Sequence, residues 1–145
     1  RSPIWPEGIV GSISHTHGLA IAAASDELFA IGLDAETMIE DARFDKIKRL
    51  IVTDEEISKF NQFSFAPTLI FSAKEALYKT LHPKCKEYFG FLEATVDEIG
   101  TDTFSIRLHS QKQKVSNFNK IYNGKYAVIK NTIISWIEIP KASLS

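Results

Sequence analysis

The hydrophobic and polar positions in the first quarter of the chain alternate in short runs. Three such runs lie at residues 11–15, 19–25 and 28–36, and turn residues separate them. Runs of this length between turn residues are typical of β-strands. The pattern therefore predicts three strands before any helix.

Helical spacing begins after the third predicted strand. Phe44, Ile47 and Ile51 recur every three or four residues, which predicts a first helix. Thr53 and Glu56 have the spacing of a capping box, in which each side chain bonds the backbone N–H of the other residue. They predict a second, short helix that continues through residue 60.

A longer helix is predicted to begin near Pro67. Proline suits the first turn of a helix, because the N–H that it lacks has no partner to lose there. Pro83 is expected to end this helix. The predicted core-facing positions recur every four residues and are Leu69, Ala73, Leu77 and Leu81.

The rest of the chain returns to a period of two, which is typical of strands. The runs lie at residues 91–99, 103–109, 118–122, 125–129 and 133–139. Asn123 and Gly124 form the pair most typical of a two-residue hairpin turn. Strands, then helices, then strands predict an α+β fold with a mostly antiparallel sheet packed against the long helix.

Composition narrows the class of protein. A chain of 145 residues, 44% of them hydrophobic, fits one globular domain with its own core. The formal net charge of −1 argues against nucleic acid as a partner. No apolar stretch reaches the roughly 18 residues that a membrane span needs. Cys85 is the single cysteine, which excludes a disulfide scaffold and fits a reducing compartment such as the cytoplasm.

The first candidate for chemistry is a pair of acids at the end of the third predicted strand. Asp34 and Glu36 are two residues apart, so both side chains point to the same face of the sheet. Two like charges this close need a cation or a proton between them unless they diverge into solvent. The pair therefore predicts either a Mg²⁺ site, because Mg²⁺ prefers carboxylate ligands, or a solvated strand end.

A second candidate lies on the long helix. Glu75 and Lys79 are four residues apart, opposite the apolar stripe. This spacing is typical of a surface ion pair. If this face borders a cleft instead, Glu75 is placed to complete a metal site or act as a base, and Lys79 is placed to meet a phosphate.

His15 is the third candidate. It follows Ser14 in the first predicted strand, where it is placed either to contact a phosphate beside free backbone N–H groups or to act as a structural histidine. His15 and His17 also suggest zinc, but the other histidines and Cys85 lack the paired spacing of zinc ligands. Zinc is therefore the weakest interpretation.

Three segments in order and spacing resemble a known family. They are Trp5-Pro6-x-Gly8 leading into the segment at residues 11–16, Ile-Gly-Leu-Asp-Ala-Glu at residues 31–36, and Phe-Ser-Ala-Lys-Glu-Ala-Leu-Tyr-Lys at residues 71–79. Together they resemble the 4′-phosphopantetheinyl transferases. Within that family they are most similar to the Sfp type, in the branch of enterobactin synthetase component D.

The resemblance implies an activity and a site. The activity is transfer of phosphopantetheine from coenzyme A to a serine of an acyl, aryl or peptidyl carrier protein, with 3′,5′-ADP as leaving group and Mg²⁺ as cofactor. The implied metal ligands are Asp34, Glu36 and Glu75, and Glu75 or a metal-bound water would help to remove the serine proton. The implied contacts with coenzyme A are made by Ser14, His15, Lys74 and Lys79, the last on the phosphate under attack.

The resemblance also implies an organisation. The Sfp type consists of two pseudo-twofold subdomains, so residues 1–33 are expected to be a remnant of an incomplete N-terminal subdomain. Residues 34–145 are then the C-terminal transferase subdomain with the Mg²⁺-binding motifs, in a monomeric cytoplasmic enzyme. The alternatives are a module that binds coenzyme A or a carrier protein without turnover, and a Mg²⁺-dependent phosphohydrolase that uses the same acids.

Overall fold

Two antiparallel sheets and one long helix make up the fold, seen in a computed structural model that describes residues 3–141. The strands are β1 (Val10–Thr16), β2 (Leu19–Ser25), β3 (Leu28–Thr37), β4 (Ala94–Ile99), β5 (Thr103–Leu108), β6 (Ile121–Ile129) and β7 (Thr132–Pro140). The helices are α1 (Asp41–Ile51), α2 (Asp54–Lys59), α3 (Ala66–Cys85) and α4 (Gln113–Ser116), and a 3₁₀ turn spans Phe91–Glu93.

The larger sheet has the strand order β3-β7-β6-β5-β4, and every neighbouring pair is antiparallel. The hairpin of β1 and β2 forms a separate two-stranded sheet beside β3. Helix α3 packs on the larger sheet over β3 and β7. The predicted α+β class, the antiparallel sheet and the packing of the long helix are confirmed.

The apolar stripe of α3 forms the centre of the core. Leu69, Ala73, Leu77 and Leu81 are completely buried, as their spacing predicts. Each leucine removed from water in this way contributes about 1.5–3 kcal/mol to stability. Ser72 and Ser135 add a buried hydrogen bond of 2.7 Å between their hydroxyl groups, which joins α3 to β7.

The predicted end of α3 is wrong by two residues. The helix continues past Pro83 to Cys85, and Lys86, with a φ of 55°, adopts the left-handed conformation that ends it. The N–H of Lys86 donates to the His82 carbonyl oxygen at 2.8 Å. Proline in the last turn removes a single helical hydrogen bond, and the bond at Lys86 closes the helix beyond it.

The predicted hairpin at Asn123 and Gly124 is also wrong. Both residues lie inside β6, which is one continuous strand, and the turn to β7 comes later, at Lys130, whose φ is 55°. A Cβ on Gly124 would overlap the Phe104 ring. The glycine therefore marks a close approach within the sheet rather than a turn.

The capping box of α2 is confirmed. The Thr53 hydroxyl accepts the N–H of Glu56 at 3.2 Å, and Glu56 Oε1 accepts the N–H of Thr53 at 3.0 Å. This end of α2 is not at the surface, because Glu56 is 1% exposed. The carboxylate therefore needs further partners inside the protein.

The predicted division of the chain remains a prediction. Its boundary between residues 33 and 34 falls inside β3, and residues 1, 2 and 142–145 of the two predicted segments lie outside the described part of the chain. None of the helices within residues 3–141 has the length and apolar character to cross a membrane.

Candidate active site

The two acids of β3 face α3. Asp34 and Glu36 lie on the same face of β3 as Gly32, and a Cβ on Gly32 would overlap the Thr80 hydroxyl and the Ala76 carbonyl oxygen. The helix therefore lies directly on the strand at this point. This close packing positions the two acids against the polar residues of α3.

Lys79 of α3 pairs with Asp34 of β3. The Lys79 Nζ and Asp34 Oδ1 atoms are 3.2 Å apart, and Nζ also lies 3.5 Å from the Ile13 carbonyl oxygen of β1. The Asp34 side chain is 3% exposed and that of Lys79 is 29% exposed. Lys79 thus joins α3 to both sheets while its ammonium group remains partly open to the outside.

Glu36 and Glu75 complete a cluster of acids around Asp34. Burial, together with the Asp34 and Glu75 carboxylates, raises the pKa of Glu36 to about 9. Burial and the Asp34 carboxylate also raise the pKa of Glu75, against the opposing effect of Lys79. Burial is the largest cause at both residues, and Asp34 itself is 2% exposed, so the interpretation of Asp34 and Glu36 as a solvated strand end is not supported.

One oxygen of this cluster has no donor. Asp34 Oδ2 is buried and has no hydrogen-bond partner among residues 3–141. A proton shared with Glu36 or a metal cation would satisfy it. Within residues 3–141 no group of three or more His, Cys, Asp or Glu side chains has the geometry to hold a metal ion as it stands. The chemistry of the donor set nevertheless fits Mg²⁺, which takes one or two carboxylates and keeps several waters.

A cleft of about 410 Å³ opens beside Glu75 and Lys79. One wall is α3, and the other consists of β1 and the segment that precedes it. The remaining lining residues are Pro3, Trp5, Gly11, Ser12, Ile13, Tyr78, His82 and Pro83. The volume is typical of small-molecule sites, and the charged groups lie at one side of a largely apolar wall.

A second, smaller cleft of about 160 Å³ shares Glu75 and Tyr78 with the first. Aromatic side chains dominate its lining, and the Tyr78 ring lies 5.9 Å from that of Tyr88 and 5.1 Å from that of Phe89. Glu75 therefore borders two clefts. It does not lie on a solvated helix face.

The serine predicted to contact coenzyme A forms a hydrogen bond to β3. The Ser14 hydroxyl accepts the N–H of Ala35 at 3.1 Å, and Ser12 accepts that of Leu33 at 3.0 Å. In the same way, the Thr16 hydroxyl accepts the N–H of the residue that lies two positions beyond Ala35 on β3. These hydroxyl groups replace backbone pairing along β3, so Ser14 helps to hold β1 at the site. Its phosphate contact stays a prediction.

His15 and Lys74 lie outside the acid cluster. His15 is exposed on β1, on the face opposite Ser14, and does not belong to the lining of the larger cleft. Lys74 is buried, its ammonium group bonds Glu56 and the Ile51 carbonyl oxygen, and burial lowers its pKa. The contacts of both residues with coenzyme A remain predictions.

Sequence reasoning missed three contributors to the site. Gly32 permits the contact between β3 and α3, while Trp5 and Tyr78 supply walls of the larger cleft. An isolated glycine inside a strand is a recognised signal of close approach. Trp5 is packed against Gly11, where a Cβ would overlap the indole ring.

Two family models match this chain. A family model described as the 4′-phosphopantetheinyl transferase superfamily matches residues 30–129, which include the acid cluster and Lys79. A model of the 4′-phosphopantetheinyl transferase N-terminal domain matches residues 1–25. The predicted resemblance is confirmed.

Curated relatives include two proteins named as 4′-phosphopantetheinyl transferases and an enterobactin synthase component. Enterobactin synthase component D of Salmonella typhimurium is 32% identical over 112 residues, which are 74% of this chain and 47% of the relative. The 4′-phosphopantetheinyl transferase Npt of Nocardia iowensis is 33% identical over 66% of this chain and 44% of its own. PptT of Mycobacterium tuberculosis is 30% identical over 65% and 43%. The chain spans about half the length of these relatives.

Proposed function

Since the chain belongs to the 4′-phosphopantetheinyl transferase superfamily, we propose that it transfers phosphopantetheine from coenzyme A to a carrier protein. A serine hydroxyl of the acyl, aryl or peptidyl carrier forms a bond to the phosphorus that bears the pantetheine arm. The bond from that phosphorus to 3′,5′-ADP breaks, and the serine loses its proton. The observation that carries this proposal is the ion pair of Lys79 with the buried Asp34 carboxylate, at the side of a cleft that Glu75 and Lys79 line.

Mg²⁺ is the cofactor that the acids fit. Asp34, Glu36 and Glu75 would hold it, and the unpartnered Asp34 Oδ2 is the oxygen in need of a cation. When bound, Mg²⁺ neutralises charge on the diphosphate of coenzyme A. The raised pKa of Glu36 supports the same assignment, because the cluster retains a proton when no metal balances its charge.

Lys79 and Glu75 are the proposed catalytic residues. The partly exposed ammonium group of Lys79 borders the cleft and balances negative charge on the phosphate under attack. Glu75 borders both clefts, so its carboxylate lies beside the space in which the carrier serine would meet coenzyme A. Glu75 is therefore suited to accept the serine proton.

The larger cleft is the proposed site for coenzyme A. Its charged side presents Lys79 to the diphosphate, and Trp5 and Tyr78 provide apolar surface for the rest of the molecule. Burial of the cofactor against this surface also excludes water from the reacting phosphorus. Exclusion of water favours transfer to the carrier over hydrolysis.

We further propose a monomer that acts in the cytoplasm. The proposed metal ligands and catalytic residues come from one chain, so the site is not shared between subunits. Cys85 is buried and unpaired, which suits a reducing compartment. Light scattering during size-exclusion chromatography tests the monomer, with 16.3 kDa as the expected mass.

The experiment that tests the function is the intact mass of an apo carrier protein after incubation with this protein, coenzyme A and Mg²⁺. The expected result is a gain of one phosphopantetheine, abolished by EDTA and by Glu75→Gln. Coenzyme A binding without a gain in mass would show a binding module instead. Release of phosphate from coenzyme A in the absence of a carrier would show a phosphohydrolase.

A further inference from the structure

Lys74 and Glu56 form an ion pair that is almost completely withdrawn from water. The Lys74 Nζ and Glu56 Oε1 atoms are 3.0 Å apart, and each side chain is 1% exposed. The same ammonium group donates to the Ile51 carbonyl oxygen at 2.6 Å. Although the Lys74 side chain borders the smaller cleft, its charge is directed into the protein.

Glu56 uses both carboxylate oxygens to join separate parts of the fold. Oε1 accepts the N–H of Thr53 at 3.0 Å in addition to the Lys74 ammonium group. Oε2 accepts the N–H of Val96 at 2.8 Å. One carboxylate therefore connects the start of α2, strand β4 and helix α3.

This junction lies on the turn of α3 that carries Glu75. Lys74 immediately precedes Glu75, and successive residues of an α-helix, at 3.6 per turn, point about 100° apart around its axis. While Lys74 is held toward Glu56, Glu75 faces the cluster at Asp34. The close contact at Gly32 sets the distance between β3 and α3, and the buried ion pair holds the side chain next to Glu75 on the same helical turn.

We propose that Lys74 and Glu56 are positioning residues, whose ion pair holds Glu75 in the orientation that completes the metal site. The role deepens the proposed function and rests on it. For Lys74, this positioning role is the alternative to the direct contact with coenzyme A that the resemblance implies. Glu56 has no role in the site predicted from the sequence, and its helix, α2, lines neither of the clefts beside Glu75.

The test measures Mn²⁺ affinity by electron paramagnetic resonance of the free ion. The unaltered protein is compared with Lys74→Met, Glu56→Gln and the double variant. Each is expected to bind Mn²⁺ about tenfold more weakly, the loss typical of groups that orient metal ligands. The matched control is Thr68→Val, which removes the 2.9 Å hydrogen bond to the Ile39 N–H from the first turn of α3 and leaves Mn²⁺ affinity unchanged.

The double variant separates positioning from stability. Lys74→Met alone leaves the Glu56 carboxylate buried without a counterion, which destabilises or unfolds the protein. Replacing both charges removes that penalty, so Tm is expected to recover while Mn²⁺ affinity stays low. Recovery of the affinity together with Tm would overturn the proposal, as would a lack of Mn²⁺ binding by the unaltered protein.

Turnover separates positioning from direct contact with coenzyme A. Glu56→Gln and the double variant are expected to lower kcat about tenfold while the KM for coenzyme A stays within about twofold. A raised KM in the Lys74 variants with unchanged Mn²⁺ affinity would overturn the proposal. If the unaltered protein binds Mn²⁺ but modifies no carrier, the proposed function fails, and the Mn²⁺ affinities alone decide the positioning role.

Discussion

Gly32 of β3 and Thr80 of α3 are in direct contact. A Cβ on Gly32 would overlap the Thr80 hydroxyl and the Ala76 carbonyl oxygen, so no side chain separates the strand from the helix. Since Lys79 immediately precedes Thr80, this contact also sets the distance between Lys79 and Asp34. One glycine thus controls the spacing of the acid cluster.

Gly32→Ala is expected to destabilise the protein and to impair the site. The added methyl group forces the helix away from the strand, which costs about 1–3 kcal/mol as overpacking of a core does. The same displacement moves Glu75 and Lys79 away from Asp34. We expect a lower Tm by thermal unfolding and a loss of Mn²⁺ affinity.

Gly124→Ala is the matched control for Gly32→Ala. It introduces the same methyl group into the same sheet, where it overlaps the Phe104 ring instead of α3. We expect a comparable loss of Tm with unchanged Mn²⁺ affinity. Equal Mn²⁺ affinities in both variants would show that the contact at Gly32 does not control the site.

The local elements follow from the sequence because their signals are local. β2 begins and ends as its apolar run predicts, at Leu19 and Ser25, and the buried stripe of α3 follows from its spacing of four. Asn123 and Gly124 predict a turn wrongly, because a glycine is typical both of turns and of places where a side chain packs closely on the backbone. Gly124 is of the second kind, since the Phe104 ring packs against it.

The site is predictable only in part. The positions of Asp34 and Glu36 on one face follow from the period of a strand. The ion pair of Lys79 with Asp34, the use of Ser14 as a support for β3 and the burial of Lys74 all depend on contacts between residues distant in sequence. A motif shows which residue types recur, but it does not show which partner each side chain meets.

Lys79→Met is expected to lower turnover about 10²–10³-fold, as the loss of one group that stabilises transition-state charge does. Methionine keeps much of the length of lysine but leaves the buried Asp34 carboxylate without its ammonium partner. Lys84→Met is the control, because the Lys84 ammonium group lies over the Phe29 ring, at 4.3 Å from its centroid. Carrier modification at an unaltered rate in Lys79→Met would contradict the assigned role.

Ser14→Ala is expected to destabilise the protein. It leaves the buried N–H of Ala35 without its acceptor, which costs about 1–3 kcal/mol. Thermal unfolding measures the loss, and Ser116→Ala, at an exposed hydroxyl, serves as the control with unchanged Tm. A Ser14→Ala protein of normal Tm that binds coenzyme A more weakly would instead support the phosphate contact.

Glu36 makes the stability of the metal-free protein depend on pH. Its pKa is about 9 in the folded protein against an ordinary value of 4.5, because of burial and the nearby acids. Between these values the folded state binds more protons than the unfolded state, so the free energy of unfolding falls as the pH rises. In EDTA, Tm is expected to fall across the window from about pH 5 to about pH 9.

Glu36→Gln tests the cause of that fall. Glutamine keeps the shape of the protonated acid and does not ionise, so the variant is expected to lose most of the decrease in Tm. At the alkaline end of the window it should be more stable than the unaltered metal-free protein. Added Mg²⁺ should raise Tm less in the variant, because one of the proposed ligands is replaced. Glu138→Gln, at an exposed position of β7, is the control that keeps the original slope. An equally steep fall in Glu36→Gln would assign the pH dependence to another group.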